Sequence, residues 1–299
     1  MNIKDLKYLV AIADHGHFGK AANACFVSQP ALSMQIMKLE ESLNVKLFER
    51  TNKSVLLTDY GTLIVEQARR ILNQIEEVRE IAKLAKDPFS GELKIGLFPS
   101  LAPYLLPLII PALSKTYSKL SFYLIEEQTA SLVEKLKQGK LDAALLAAPI
   151  LEKNFNHALI FEEEFLLTMP AAHPFAKLKK IKQTHLDNKN LLLLEEGHCL
   201  REQALAVCHR MQATEMQGFR ATSLETLRHM ISAGIGMTLM PKLACHENNH
   251  IAYVPFTEPK PTRTIGMYWR ANTCKQILLS KIVSEIKSIL KKQKSVRIV

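Results

Sequence analysis

The period of the hydrophobic positions changes several times along this 299-residue chain, and each change marks a boundary. Leu6, Leu9, Val10 and Ala13 form one helical stripe that ends near His15-Gly16. Ala21, Ala22 and Ala24 lie on a short second helix whose small side chains admit a close neighbour. Ser28 is a good N-cap, followed by Gln29 and Pro30 in the first turn of a third helix, where proline is tolerated. That helix carries Leu32, Ile36, Leu39 and Leu43 on one side and Pro30, Ser33, Met34 and Met37 on the other. A buried stripe opposed by a small, uncharged face suits a helix lying in a DNA major groove, whereas an ordinary surface helix would carry Glu and Lys there.

From Leu47 to Leu57 the pattern alternates around Thr51-Asn52-Lys53-Ser54, which predicts a hairpin wing with Arg50 and Lys53 available to phosphates. Thr58-Asp59-Tyr60-Gly61 then opens a long helix. Its Ile64, Ala68, Ile71, Ile75, Val78, Ala82 and Ala85 alternate by four and three, the period of about 3.5 residues that marks helices paired along their length. The interleaved Arg69, Arg70, Glu76, Glu77, Arg79 and Glu80 favour a solvated dimer helix over one packed inside a domain. Asp87-Pro88 and Ser90-Gly91 end it.

Beyond Gly91, short apolar runs alternate with helical segments. Strands are predicted at Leu93 to Leu97, Ser121 to Ile125, Leu141 to Ala147, Phe165 to Met169, Leu191 to Leu194, Met237 to Met240, Ile251 to Pro255 and Thr264 to Trp269. Helices fall between them, at Leu101 to Tyr117, Ser131 to Lys137 and Leu224 to Ala233, with a last one from Cys274 to about Lys292. This order predicts an α/β fold with buried parallel strands. Such sheets bind ligands beyond the strand C-termini, at helix N-termini, where Ser100, Thr129, the 197–201 turn and Thr222-Ser223 lie.

Composition narrows the partners. No apolar run approaches the roughly 20 residues needed to span a bilayer. The start, Met1-Asn2-Ile3-Lys4-Asp5, leads into periodic helix and not a secretory signal, so no membrane partner and a cytoplasmic location are expected. Five scattered cysteines, an odd number, point to free thiols and not to a disulfide framework. The net charge of +10 suggests an anionic partner, nucleic acid first. The first 58 residues are only slightly basic, however, and the basic tail from Lys275 to Arg297 is explained equally well as a solvated helix face.

The candidate chemistry centres on Gly197-His198-Cys199-Leu200-Arg201. Leu191 to Leu194 reads as a buried strand, Glu195-Glu196-Gly197 turns the chain, and Leu200, Ala204, Val207 and Met211 recur at helical spacing. Cys199 therefore stands at a helix N-terminus beside His198 and Arg201, surroundings that lower a thiol's pKa. Position alone does not relate it to Cys208. A metal site made by His198-Cys199 with Cys208-His209 is disfavoured, because the two pairs cannot meet on one ion across an intact helix and no Cys-x-x-Cys spacing exists. No metal and no cofactor are expected.

The ordered set H-F-G-K-A-A, V-S-Q-P-A-L-S-x-Q-I-x-K-L-E, L-F-E-R and L-T-x-x-G over residues 17–61 resembles the winged helix-turn-helix of the LysR-type transcriptional regulators. The stretch E-E-G-H-C-L-R-x-Q-A with Cys208, followed by F-R-A-T-S-L-E-T-L-R from Phe219 to Arg228, resembles the hydrogen-peroxide-sensing members of that family. The resemblance implies a winged helix-turn-helix domain (1–58) and a linker or dimerisation helix (59–88). A two-lobed α/β regulatory domain like a type II periplasmic binding protein (89–299) would follow. One lobe would combine 89–161 with 266–299, and the other would be 162–265. It further implies double-stranded DNA as partner through Ser28, Gln29, Pro30, Ser33, Arg50 and Lys53, a homodimer or homotetramer, contact with RNA polymerase, and hydrogen peroxide as the signal. By similarity Cys199 is the peroxidatic thiol and Cys208 the resolving one, with His198, Ser100, Thr129, Arg201 and Arg263 around the peroxide. Ser100 replaces the usual threonine, and Met34 and Met37 stand where the family pattern has a glycine or arginine and a basic residue.

Given that pairing, helix geometry supplies a switch. Nine residues separate two helical positions by roughly 13 Å and about half a turn, whereas a disulfide needs Cα atoms about 4.4 to 6.8 Å apart. A sulfenic acid on Cys199, attacked by Cys208, would have to rebuild the helix between them. The alternative is a regulator of the same family that binds a small organic effector with inert cysteines. An enzyme is not expected, since a DNA-binding head has no role in a peroxide scavenger.

Overall fold

The computed structural model describes residues 1–50, 55–84, 87–197, 200–203 and 214–299, and it divides into two compact units, Met1–Ala85 and Lys86–Val299. In the first unit, α1 (Ile3–His15) opens on a capping box in which Asn2 and Asp5 satisfy each other's backbone amides, and it stops at Gly16 in the left-handed region. Helices α2 (Phe18–Ala24) and α3 (Gln29–Leu43) follow, with His17 and Ser28 as N-caps. The wing is an antiparallel pair, β1 (Phe48–Arg50) and β2 (Val55–Leu57), and α4 (Asp59–Leu84) closes the unit. Leu9, Ile12, Ala21, Leu32, Ile36, Leu47 and Ala68 form its core, so the predicted apolar stripes do face one another. A Cβ on Gly61 would lie 2.1 Å from the Leu47 carbonyl oxygen, which explains why glycine stands where α4 starts against the wing.

The second unit contains β3 (Gly91–Leu97), α5 (Ala102–Thr116), β4 (Leu120–Glu126), α6 (Thr129–Lys137), β5 (Ala143–Ala147) and β6 (Phe155–Pro170). After these come β7 (Asn190–Leu194), β8 (Thr214–Ala221), α7 (Leu224–Ser232), β9 (Thr238–Pro241), β10 (Ile251–Pro255), β11 (Thr262–Arg270), α8 (Gln276–Leu290) and β12 (Val296–Ile298). The main sheet runs β10-β6-β11-β5-β3-β4, with β9 and β12 also on β6.

The expected parallel strands are present, but only in part of this unit. Parallel pairing holds for β3 with β4 and β5, and for β7 with β8, but β11 lies antiparallel between β5 and β6. The reason is topological: β6 carries the chain out of one lobe and β11 brings it back, so the two crossing strands run in opposite directions. Each end of β6 belongs to a different core. Ile160 and Phe161 pack with Leu93, Leu145, Ile265 and the α8 side chains Leu279, Ile282 and Ile286. Phe165, Leu167 and Met169 pack with Leu191 to Leu194, Leu227 and Leu239. The domain is therefore two-lobed, with each lobe buried around its own core.

Candidate functional site

Strands β3 and β4 are parallel neighbours with Leu97 opposite Glu126, and the Glu127 amide donates to the Leu97 carbonyl at 3.2 Å. Ser100 and Thr129 therefore leave adjacent strand ends, at the edge where the sequence places a ligand site. Ser100 is buried, and Arg263 Nη1 donates to its Oγ and Nη2 to its carbonyl oxygen, both at 3.1 Å. Arg263 is itself buried against Glu163, its Nε lying 2.7 Å and its Nη2 2.6 Å from Glu163 Oε1, with the two side chains 1% and 0% exposed. The guanidinium carbon stands 5.3 Å from the Phe98 ring centroid and 5.8 Å from that of Phe165. A hydroxyl that accepts from a guanidinium keeps its own proton for another acceptor, so Ser100 Oγ is a charge-assisted donor.

Thr129 begins α6. Its Oγ1 is buried and has no hydrogen-bond partner among the described residues, which is costly unless something polar comes to it. The turn of the candidate cysteine motif arrives at the same place. Gly197 has φ +89, and a Cβ there would meet the Gln128 carboxamide oxygen at 2.5 Å, one residue before Thr129. His198, Cys199 and Cys208 lie outside the described residues, as does Lys53 of the wing.

Arg201 is described, and it is a clamp. Its Nη1 and Nη2 each bond Glu215 at 2.7 Å in a bidentate pair, and Nη1 also donates to the Leu194 carbonyl at 3.0 Å. The pair holds the Glu215 carboxyl below the usual carboxylate range. These bonds join the end of β7, the helical 200–203 segment and β8, so Arg201 fixes how that segment leaves β7. Glu215, Glu163 and Gln128 were not among the residues singled out in the sequence. Glu163 sits in a run of three glutamates that reads as a charged surface, and only its partner 100 positions away explains its burial. A second, partly buried network joins the lobes: Tyr104 on α5 donates to Glu225 on α7 at 2.7 Å, and the buried Arg228 bonds Glu225, the Tyr253 hydroxyl and the Ala244 carbonyl. It accounts for the last part of the F-R-A-T-S-L-E-T-L-R stretch.

In the first unit, Ser28, Gln29 and Pro30 are exposed at the start of α3, Ser33 is half-buried, and Met34 and Met37 are 54% and 43% exposed. Lys38 and Glu41 are exposed too, so the uncharged face predicted for α3 ends after Met37. Glu40, the last residue of the K-L-E motif, is buried and accepts from the Leu47 amide at 2.8 Å, the Phe48 amide at 3.4 Å and Lys46 Nζ at 3.1 Å. It ties α3 to the wing. Burial opposes its charge, but these bonds outweigh burial and hold its carboxyl below the ordinary value. Arg50 is the last residue of β1 and pairs with Val55.

A three-helix head with a wing, followed by a two-lobed α/β unit with a polar site at its strand ends, defines a helix-turn-helix regulator with a ligand-binding domain of the periplasmic-binding type. The chain belongs to the lysR family: residues 3–62 match the bacterial regulatory helix-turn-helix protein model of that family, and residues 86–282 match the LysR substrate binding domain. It is 47% identical over 273 residues to the hydrogen peroxide-inducible genes activator of Pectobacterium carotovorum subsp. carotovorum, covering 90% of each chain. The DNA-binding transcriptional dual regulator OxyR of Escherichia coli strain K12 is equally similar, at 47% over the same length. Among solved structures, a full-length OxyR variant of Pseudomonas aeruginosa aligns with a TM-score of 0.78 at 37% identity, covering 96% of this chain and 95% of that one. A hydrogen-peroxide-bound OxyR mutant of Corynebacterium glutamicum aligns at 0.67 and 28% identity, covering 97% and 93%.

Proposed function

We propose that this chain is a hydrogen-peroxide-responsive, DNA-binding transcription regulator in which Cys199 is the sensing thiol and Cys208 resolves it. The observation that carries this reading is the buried Thr129 hydroxyl, unpartnered among the described residues, beside the turn that leads into His198-Cys199, at the strand ends where Arg263 polarises the Ser100 hydroxyl. A small, neutral molecule rich in oxygen lone pairs and O–H donors suits such donors. The Cys199 thiolate would attack one peroxide oxygen, breaking the O–O bond and leaving a sulfenic acid and hydroxide. Cys208 would then attack that sulfur and release water, with the disulfide as product. Ser100 and Thr129 would hold the peroxide, Arg263 would polarise Ser100, and His198 and Arg201 would favour the thiolate, Arg201 by fixing the helix start.

The helix-turn-helix would bind duplex DNA through Ser28, Gln29, Pro30, Ser33, Arg50 and Lys53, and act on RNA polymerase at the promoters it occupies. Residues 59–88 would serve as a dimerisation helix. Val65 and Ala68 of α4 are buried, but Leu63, Ile71, Val78 and Ile81 are exposed, apolar surface that a second copy could cover. A regulator of this kind works where the chromosome is, in the cytoplasm, and reads peroxide without consuming it in quantity. The test is to compare peroxide-dependent transcription from a bound promoter for the native chain and for Cys199→Ser. Loss of the response in Cys199→Ser is expected. A full response would favour an organic effector bound without thiol chemistry, and turnover of many peroxide equivalents with a reductant would indicate an enzyme.

A further inference from the structure

The exposed side of α3 between Gln29 and Met37 carries no charge, and its two largest side chains, Met34 and Met37, are 54% and 43% exposed among the described residues. Pro30, Met34 and Met37 stand at i, i+4 and i+7, one line on the helix, opposite the buried Leu32, Ile36 and Leu39. Gln35, by contrast, is turned to α1, its amide nitrogen 2.7 Å from Asp5 Oδ1, so it is not free for bases. Resting on the DNA-binding reading, we propose that Met34 and Met37 make this recognition helix a reader of thymine methyl groups, requiring thymines at two neighbouring positions of each half-site.

The chemistry leaves little else for them to read. In the major groove, guanine, adenine and cytosine present hydrogen-bonding atoms, and only thymine adds an apolar group, its C5 methyl. Methionine offers no strong donor or acceptor, but its unbranched, polarisable chain fills irregular apolar gaps. Side chains three residues apart on a helix lie about 5–6 Å apart at Cβ, and base pairs are stacked about 3.4 Å apart, so the two reach adjacent steps. A second copy of the chain is the competing occupant. The face of α3 that carries the methionines continues from Ser28 and Gln29, exposed at the helix start, and Glu40 further along the same helix ties α3 to the start of the wing, an arrangement suited to a duplex.

The test uses the full-length protein and a pool of randomised DNA duplexes. The duplexes retained most tightly are resynthesised with deoxyuridine replacing each thymidine in turn, which removes only the methyl, and affinities are measured at one fixed salt concentration. One buried methyl lost predicts about fourfold weaker binding at two positions per half-site. Met34→Ala should abolish the penalty at one of them and Met37→Ala at the other. The slope of affinity against salt should not change, because no phosphate contact is lost. Retained duplexes that tolerate uracil everywhere, or alanine variants that keep both penalties, overturn the proposal while leaving DNA binding intact. Retention of no duplex at all overturns both. The uracil measurement on the native chain decides the matter even where a variant fails to fold.

Discussion

Replacing Glu163 with alanine removes the counter-charge of a buried guanidinium. The Arg263 and Glu163 side chains are 1% and 0% exposed, and their closest approach is 2.6 Å. In Glu163→Ala, Arg263 keeps the Ser100 oxygens and the Phe98 and Phe165 rings but has no anion, and an uncompensated buried charge of this kind costs about 3–5 kcal/mol. The Leu243 amide also loses its acceptor, Glu163 Oε2 at 3.2 Å, which adds about 1 kcal/mol. For a unit of this size, that total lowers the melting temperature by roughly 8–24 °C. The double variant Glu163→Met, Arg263→Met removes both charges and should recover most of the loss, since apolar replacement of a buried pair is often neutral or better. It would not recover peroxide sensitivity, because Ser100 would no longer be polarised. Calorimetry follows the C-terminal transition, and the rate of thiol loss with peroxide follows the site. A loss below about 1 kcal/mol in the single variant, or a double variant no more stable than the single, would refute the view that the pair is one coupled unit.

Glu215→Gln should destabilise the β7–β8 region by about 2 kcal/mol, the worth of a charge-assisted bidentate contact, and slow the peroxide reaction by loosening Arg201; urea unfolding and stopped-flow thiol titration measure the two effects. Glu40 has a folded pKa below its ordinary value of 4.5, so its contribution is fully present above that pH and is lost as pH falls through the depressed value. Melting of the N-terminal unit should therefore fall more steeply in acid for the native chain than for Glu40→Gln. Phe26 is 95% exposed with φ 56, a left-handed conformation that disfavours an aromatic residue, so Phe26→Asn should stabilise that unit by about 1 kcal/mol in thermal melts, and no change or a loss would show that the ring does have a contact.

The helices of the head were legible because each has its own local signal: the Ser28 cap, the Gly16 stop, and apolar residues three and four apart. Strand β6 was only half visible. Its Phe165 to Met169 end is apolar except for Thr168, but Phe155 to Glu164 contains Glu162, Glu163 and Glu164, a run that resembles a solvated loop. Those carboxylates are matched by Arg297, Arg263 and Lys260, all distant in sequence, and periodicity carries no information about such partners. Strands β8 and β12 were missed for a related reason. The first is interrupted by Gly218 and charged at Glu215 and Arg220, and the second is short and lies among basic residues. The basic tail had a partly structural use. Lys275 is buried and bonds both Asp142 carboxylate oxygens at 3.1 Å and the Glu92 carbonyl at 2.8 Å, so the positive charge there does not by itself mark a nucleic-acid surface. At the site, the sequence picked out Ser100, Thr129, Arg201 and Arg263 by position and resemblance. It could not show that Arg201 is held by Glu215, or that Arg263 acts on Ser100, because each pairing depends on how a strand meets a turn or helical segment elsewhere in the fold.

The most direct measurement is to treat the reduced full-length protein with near-stoichiometric hydrogen peroxide, block remaining thiols, and map every cysteine by peptide mass spectrometry. A Cys199–Cys208 disulfide, with Cys25, Cys245 and Cys274 still reduced, is the predicted result. Cys245 should be especially inert, since burial pushes its thiol up to about 12. Recovery of Cys199 and Cys208 as free thiols, or oxidation spread evenly over the five cysteines, would contradict the account.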